Sequence, residues 1–300
     1  IPFSKNTSDI KSVMQLRKTV KEGYPVNLFP EGGRNWDGST DEIIRSTAKL
    51  IRLLKIPVYT IFYEGGYLSK PRWGQYFRKG QMLIQIKLFL SNEQIKSMPV
   101  EALEAAMIDG LIYNEYECQR EHMIPFKGKK LAEHVERLVY KCPHCNAYDS
   151  FESVGNEFSC SSCKTTYSFN KYGFIEGCVQ FDNLVDWYKW QSTYIASLSN
   201  SDFSFENQNL LVDVIHKETN EHDKKHYTVT LNKDYLSIKH SDNTNIVPIK
   251  DVKGISVSFQ DVFECFIGEN KYRLTFDPKK HTSIKLFYDM LKYLKSNNNV

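Results

Sequence analysis

Val26-Asn27-Leu28-Phe29-Pro30-Glu31-Gly32-Gly33-Arg34-Asn35-Trp36-Asp37-Gly38 joins a short apolar run to a turn-rich loop. Residues 26–29 read as a buried strand, and the loop begins as soon as the strand ends. Upstream, residues 10–22 have helical spacing and stop at Gly23-Tyr24-Pro25. Downstream, Ser39-Thr40-Asp41-Glu42 is a capping-box signal for a helix with Ile43, Ile44, Leu50, Ile51 and Leu54 along one side. Pro57 ends that helix, and residues 58–62 read as a second buried strand. Strand, helix, strand with a loop at the sheet edge predicts an α/β unit, a fold that binds ligands at the carboxyl ends of its strands.

The loop places one carboxylate, one guanidinium and two flexible backbone units at that edge, and this combination suits phosphate. Arg34 can fork two hydrogen bonds onto phosphate oxygens, Gly32 and Gly33 let amides approach, and a helix N-terminus nearby adds positive dipole. Glu31 would repel an anion, so it is read as fixing Arg34 or taking a substrate hydroxyl. The plainer alternative is a structural Glu31–Arg34 pair.

Phe29-Pro30-Glu31-Gly32-Gly33-Arg34-Asn35 resembles the Phe-Pro-Glu-Gly-Thr-Arg-Ser block of the glycerol-phosphate and lysophosphatidic acid acyltransferase family. Ile1-Pro2-Phe3-Ser4-Lys5 is similar to that family's preceding block, with Lys5 where an arginine usually stands, and Ile56-Pro57-Val58 to the following one. The resemblance covers roughly residues 1–90 and departs from the family at Gly33 and Asn35. It implies acyl transfer from acyl-CoA or acyl carrier protein to the hydroxyl of a lysophospholipid or glycerol phosphate, making phosphatidic acid or an analogue. Lys5, Glu31, Gly32, Gly33 and Arg34 would form the acceptor-phosphate site. The family's catalytic His-x4-Asp pair lies well upstream of this block, and only 28 residues precede Phe29. No catalytic residue is therefore assigned, and a chain opening at Ile1 is expected to be a fragment. His144 and Asp149 have the same spacing, but His144 sits inside a cysteine knuckle, and the match is read as coincidence.

That knuckle is Cys142-Pro143-His144-Cys145, followed after 14 residues by Cys160-Ser161-Ser162-Cys163. Two Cys-x-x-Cys turns at this separation predict a four-thiolate zinc ribbon, with a disulfide pair or a redox site as alternatives. Four thiolates fill the coordination shell, so the metal is expected to be structural. With few large apolar residues, the ribbon is expected to depend on its ion. Cys118, Cys178 and Cys265 fall outside the pattern and read as buried thiols.

Beyond the ribbon, residues 184–198 have helical spacing around Trp187 and Trp190, read as packing residues. Seven short strands then follow in residues 210–276, with a final helix over 283–295. This pattern resembles pleckstrin-homology and GRAM domains. With its cations matched by acids, an interaction or dimerisation role is favoured over lipid binding, and the scattered histidines show no ligand spacing. Between the two ends of the chain, residues 82–90 read as a strand, and 101–119 and 131–140 as helices. Lys70-Pro71-Arg72-Trp73-Gly74, like Lys127, Lys129 and Lys130, reads as a solvated loop.

The expected fold is thus α/β: a partial acyltransferase unit over 1–136, a ribbon over 137–177, and a linker helix with a mostly β, barrel-like domain over 178–300. The chain carries a net charge of +3; residues 1–90 hold 15 cations against 7 acids, whereas 91–136 hold 5 against 9. A cationic first segment expects an anionic ligand, and the even balance elsewhere argues against nucleic acid. No window holds the roughly 18 apolar residues of a bilayer span. The expected setting is peripheral, on the cytoplasmic face of a membrane. The rival reading is a non-enzymatic adaptor with ribbon and pleckstrin-homology-like interaction modules.

Overall fold

The computed structural model describes residues 10–241 and 243–297. The chain condenses into two compact units. The first contains the described residues up to Ser69 together with Gly80–Pro125; the second contains Lys70–Lys79 and Phe126 onward.

The first unit opens with α1 (Ile10–Lys21), followed by an irregular stretch, α2 (Ser46–Leu54), β1 (Val58–Glu64), α3 (Gly66–Ser69) and β2 (Leu83–Leu90). It ends with α4 (Asn92–Ser97), α5 (Val100–Gly110) and α6 (Glu115–His122). Its core gathers Ile43, Ala48, Ile51, Leu90, Ile95, Leu103 and Met107.

Three expectations are corrected here. Residues 26–29 are not a strand, and Asn27, Leu28 and Phe29 are exposed, so the strand–helix–strand unit does not form. Instead β1 pairs antiparallel with β2 in a two-stranded sheet. One face of this hairpin turns Thr60 and Glu64 inward, while Tyr59, Ile61 and Tyr63 pair with Leu88, Ile86 and Ile84 on an exposed face.

The capping signal at Ser39–Glu42 fails because its side chains have other partners. Ser39 bonds Asp37, Thr40 Oγ1 donates to Leu111 O at 2.7 Å, and the helix starts only at Ser46, without a side-chain cap. The long helix expected over 101–119 breaks after Gly110 and restarts where Asn114 Oδ1 accepts the Tyr116 amide.

In the second unit, residues 131–140 form turns and one 3-10 turn (Val135–Arg137) rather than a helix. The ribbon follows as an antiparallel sheet of β3 (Phe151–Val154), β4 (Glu157–Cys160), β5 (Thr166–Phe169) and β6 (Ile175–Glu176). It does have a core: Phe151, Phe158, Tyr167 and Phe169 are buried and stack together, and Trp187 packs among them. Trp187 belongs to α7 (Leu184–Ser192), which α8 (Ile195–Ser199) follows, so the single helix expected there is two.

The β domain holds β7 (Phe205–Ile215), β8 (His222–Leu231), β9 (Tyr235–His240), β10 (Asn243–Pro248), β11 (Val252–Ser258), β12 (Val262–Ile267) and β13 (Asn270–Thr275). They form one antiparallel sheet in the order β10-β9-β8-β7-β13-β12-β11, so two meanders join where the first strand meets the last. The closing helix α9 (Ile284–Asn297) buries Leu286, Phe287, Met290, Leu291 and Leu294. Phe287 meets Phe263 and Phe276 of the β domain. Seven strands and an amphipathic final helix were legible from alternation and turns.

Lys70-Pro71-Arg72-Trp73-Gly74 is not the solvated loop expected, since residues 71–74 are buried. Trp73 is 1% exposed and stacks on Phe169 at 5.6 Å, with the Arg78 guanidinium 5.3 Å from the Trp73 ring. Arg72 donates to Val257 O at 2.5 Å and Phe259 O at 3.1 Å, Arg78 to Leu131 O at 2.5 Å, and Arg137 to Trp73 O at 2.9 Å. Backbone carbonyls take protons from all three buried guanidinium groups, which lets charged residues sit in a core, although Arg137 Nε is left without a partner.

Candidate functional site

Two constellations hold chemistry: the glycine-rich loop of the first unit and the four-cysteine cluster of the second. In the loop, Gly32 adopts φ +65° and donates to Phe29 O at 2.9 Å, closing a tight turn that a side chain would strain. Glu31 Oε2 accepts the Asp41 amide at 2.8 Å. Burial pushes the Glu31 carboxyl up, the Asp41 amide opposes this, and the Asp41 and Asp37 carboxylates push it further. Glu31 thus braces the far end of the loop. Gly33 and Arg34 are exposed. Partial desolvation lowers the Arg34 pKa and Tyr67 raises it. Lys5 lies outside the described residues.

The loop rests on residues that the sequence did not single out. Tyr67 Oη donates to Trp36 O at 3.2 Å, and its ring covers Gly38, where a Cβ would lie 2.9 Å from Tyr67 Cδ1. Trp36 and Asp37 are buried. Glu115 sits beneath, 2% exposed: its amide donates to Gly38 O at 2.9 Å, and its carboxylate takes the Gly65 amide at 2.5 Å, the Tyr67 amide at 3.4 Å and the Tyr113 hydroxyl at 3.2 Å. Burial raises the Glu115 pKa to about 7, opposed by those donors and reinforced by Glu64. No spacing rule marks a glutamate at a helix start as the support of a loop some 75 residues earlier. Beside the loop lies an open hollow of about 510 Å³ lined by Asp41, Glu42, Arg45 and Glu117 among others. Three carboxylates against one guanidinium do not suit a phosphate there.

The Cys142, Cys145, Cys160 and Cys163 sulfurs all lie within 4.8 Å of one another. Cys142 Sγ is 3.8 Å from Cys163 Sγ and Cys145 Sγ is 3.7 Å from Cys160 Sγ. Tetrahedral Zn–S bonds of about 2.3 Å place sulfurs about 3.8 Å apart, so four thiols at this spacing could hold a structural metal. Burial pushes the Cys142 thiol up to about 12. At Cys160 burial acts upward too, but the Ser150 hydroxyl and the Cys163 and Ser162 amides outweigh it and bring the thiol to about 6.

Lys141, 4% exposed, puts its ammonium beside this cluster. Its Nζ lies 4.1 Å from the Tyr148 ring centroid and 4.4 Å from that of Tyr194, and donates to Asn146 O at 3.1 Å. An aromatic-caged cation partly offsets thiolate charge. The His-x4-Asp spacing of His144 and Asp149 makes no catalytic pair. His144 is exposed on its knuckle, while Asp149 Oδ1 accepts the Ser283 amide at 2.8 Å, ahead of α9.

Among the described residues, no helix is long and apolar enough to cross a membrane. No protein-family model and no curated protein matches the chain. Solved structures similar to part of it include the N-terminal PH domain of human ARAP2, at 11% identity and TM-score 0.24, covering 30% of this chain and 79% of that one. Two others are inner membrane complex sub-compartment proteins of Toxoplasma gondii. ISP3 has 9% identity and TM-score 0.25, over 36% of this chain and 87% of its own. ISP1 has 17% identity and TM-score 0.24, over 36% and 92%. At these scores the likenesses decide nothing about the chain.

Proposed function

We propose that the first unit grips the phosphate of a lysophospholipid or glycerol-phosphate acceptor for acyl transfer from a thioester donor, acyl-CoA or acyl carrier protein, at a membrane surface. The observation that carries this reading is the built loop: Glu31 braced on the Asp41 amide, Gly32 in a left-handed turn, and Arg34 exposed beyond them. A guanidinium held on a fixed turn meets a phosphate with two parallel hydrogen bonds at low ordering cost. Gly32 and Gly33 leave room for close approach, and Lys5 would add a second cation. In acyl transfer the acceptor hydroxyl attacks the thioester carbonyl, and the thiol leaves as the new ester forms. This chain's part is to hold the acceptor in place, and the base that takes the hydroxyl proton is assigned to none of its residues. Alignment of two reactants can supply about 7–11 kcal/mol of a barrier.

Arg34→Ala is expected to weaken binding of lysophosphatidate by about tenfold or more, the loss of a charge-assisted bidentate contact. Titration of the purified chain with dispersed lysophosphatidate measures it, and an unchanged dissociation constant would overturn the reading.

In the second unit we propose that Cys142, Cys145, Cys160 and Cys163 hold structural zinc. The sulfur spacing and the all-thiol donor set support it, with Lys141 as a nearby counter-charge. Four protein ligands leave no position for substrate, so the ion would contribute folding energy and not chemistry.

A further inference from the structure

Arg34 is exposed on a loop that is anchored from both ends. Its outer end depends on Glu31 and Asp41, and its inner end on Tyr67, which spans Trp36 O and the face of Gly38. The Tyr67 ring packs on Tyr116, and its turn is held by Glu115, because the Gly65 and Tyr67 amides both converge on the Glu115 carboxylate. We infer that Glu115 is a positioning residue for the phosphate grip: its carboxylate fixes the Gly65–Tyr67 turn, and Tyr67 then sets where the Arg34 loop sits. The inference rests on the acceptor-phosphate reading above.

Three donors aim at Glu115: two amides and the Tyr113 hydroxyl. An ionised carboxylate accepts all of them. A protonated one gives up part of that acceptor capacity: its proton can go only to a Tyr113 hydroxyl turned round to accept, and the hold on the Gly65 and Tyr67 amides weakens. The other titratable groups facing this site are Glu64 at the end of β1, Tyr113 before α6, Cys118 within α6, and Arg34 through Tyr67. With the Glu115 carboxyl raised to about 7 by burial, the change falls in an accessible pH range. A carboxylate near an anion site also repels the ligand, so simple repulsion and positioning predict opposite slopes with pH.

Inorganic sulfate is the probe, because it stays a dianion throughout while phosphate titrates. Its affinity is read from the Gly32 and Gly33 amide resonances of the full chain, at pH values about one unit above and below the Glu115 midpoint. Wild-type affinity is expected to fall several-fold on acidification. Glu115→Gln should bind about fivefold more weakly on the alkaline side and show a flat profile, since it loses one charge-assisted interaction. Tyr67→Phe, which keeps the ring over Gly38 and removes the bond to Trp36, should weaken binding at both pH values and leave the midpoint in place. If Glu115→Gln does not fold, the wild-type slope and Tyr67→Phe carry the test. Affinity that rises toward acid, or a Tyr67→Phe chain that binds as wild type, would overturn the positioning role. Arg34→Ala keeps the two ideas apart. If it binds sulfate normally the acceptor reading itself fails; if it loses binding while Glu115→Gln keeps the wild-type profile, only the positioning inference falls.

Discussion

Trp73→Ala is expected to cost the second unit about 3–5 kcal/mol, the range for truncating a fully buried large aromatic to a methyl group. Two further losses accompany the cavity. The Arg78 guanidinium, 5.3 Å from the Trp73 ring and 5.9 Å from that of Phe169, loses one of its two aromatic partners while staying buried. The backbone around residue 73 also loses the ring that anchors it, although Trp73 O still receives Arg137. Urea unfolding followed by far-ultraviolet circular dichroism measures the effect. Trp73→Phe serves as the control, because it keeps a stack on Phe169 and should lose markedly less. A Trp73→Ala loss below about 1 kcal/mol would place the segment at the surface, where truncation is nearly neutral.

That segment also shows where sequence reasoning stops. Lys70-Pro71-Arg72-Trp73-Gly74 has the composition of a loop, with cations beside proline and glycine. Nothing local reveals that the carbonyls of Val257, Phe259 and Leu131 wait for Arg72 and Arg78 far along the chain. A cation is read as exposed unless its acceptors are visible, and backbone acceptors leave no trace in side-chain identity.

The same reasoning separates the elements that were legible from those that were not. The cysteine cluster follows from spacing within two short turns, a local property, and the four sulfurs do converge. Alternation and Asn/Asp/Gly turns gave the seven strands of the β domain to within a few residues, because each strand packs one face. The adjacency of β7 and β13 is a long-range pairing that no turn encodes. Residues 26–29 misled for the opposite reason. Four apolar residues satisfy a strand pattern but need a neighbouring strand to bond with, and among the described residues they have none. At Ser39–Glu42 a sound capping signal lost to tertiary partners, Asp37 for Ser39 and the Leu111 carbonyl for Thr40. In the loop itself, Glu31 and Arg34 stood out by chemistry, whereas Tyr67 and Glu115 act through backbone amides and a ring face.

The largest effect should come from withdrawing metal from the cysteine cluster. In zinc-finger peptides the ion supplies on the order of 10 kcal/mol, comparable to the whole stability of an ordinary domain. The ribbon here differs in having its own ring stack, Phe151, Phe158, Tyr167 and Phe169 with Trp187 and Trp73, so the loss should be uneven. The knuckles take less from that stack, with Cys142 Sγ 3.7 Å from the Tyr167 hydroxyl. Their short turns close through Asn146 onto Cys142 O and Lys164 onto Cys160 O, and Cys145 is exposed. Without the ion, Lys141 loses the thiolate charge that offsets its burial. Chelation, or Cys163→Ser, should therefore abolish hydrogen-exchange protection at the Asn146 and Lys164 amides. The β4–β5 pair around Phe158 and Tyr167 should stay protected to higher denaturant. Mass-spectrometric metal content supplies the other half of the test: one zinc per chain before chelation, none after. Less than about half an equivalent after mild purification, or knuckle amides whose exchange ignores chelation, would remove the metal from the account of this fold.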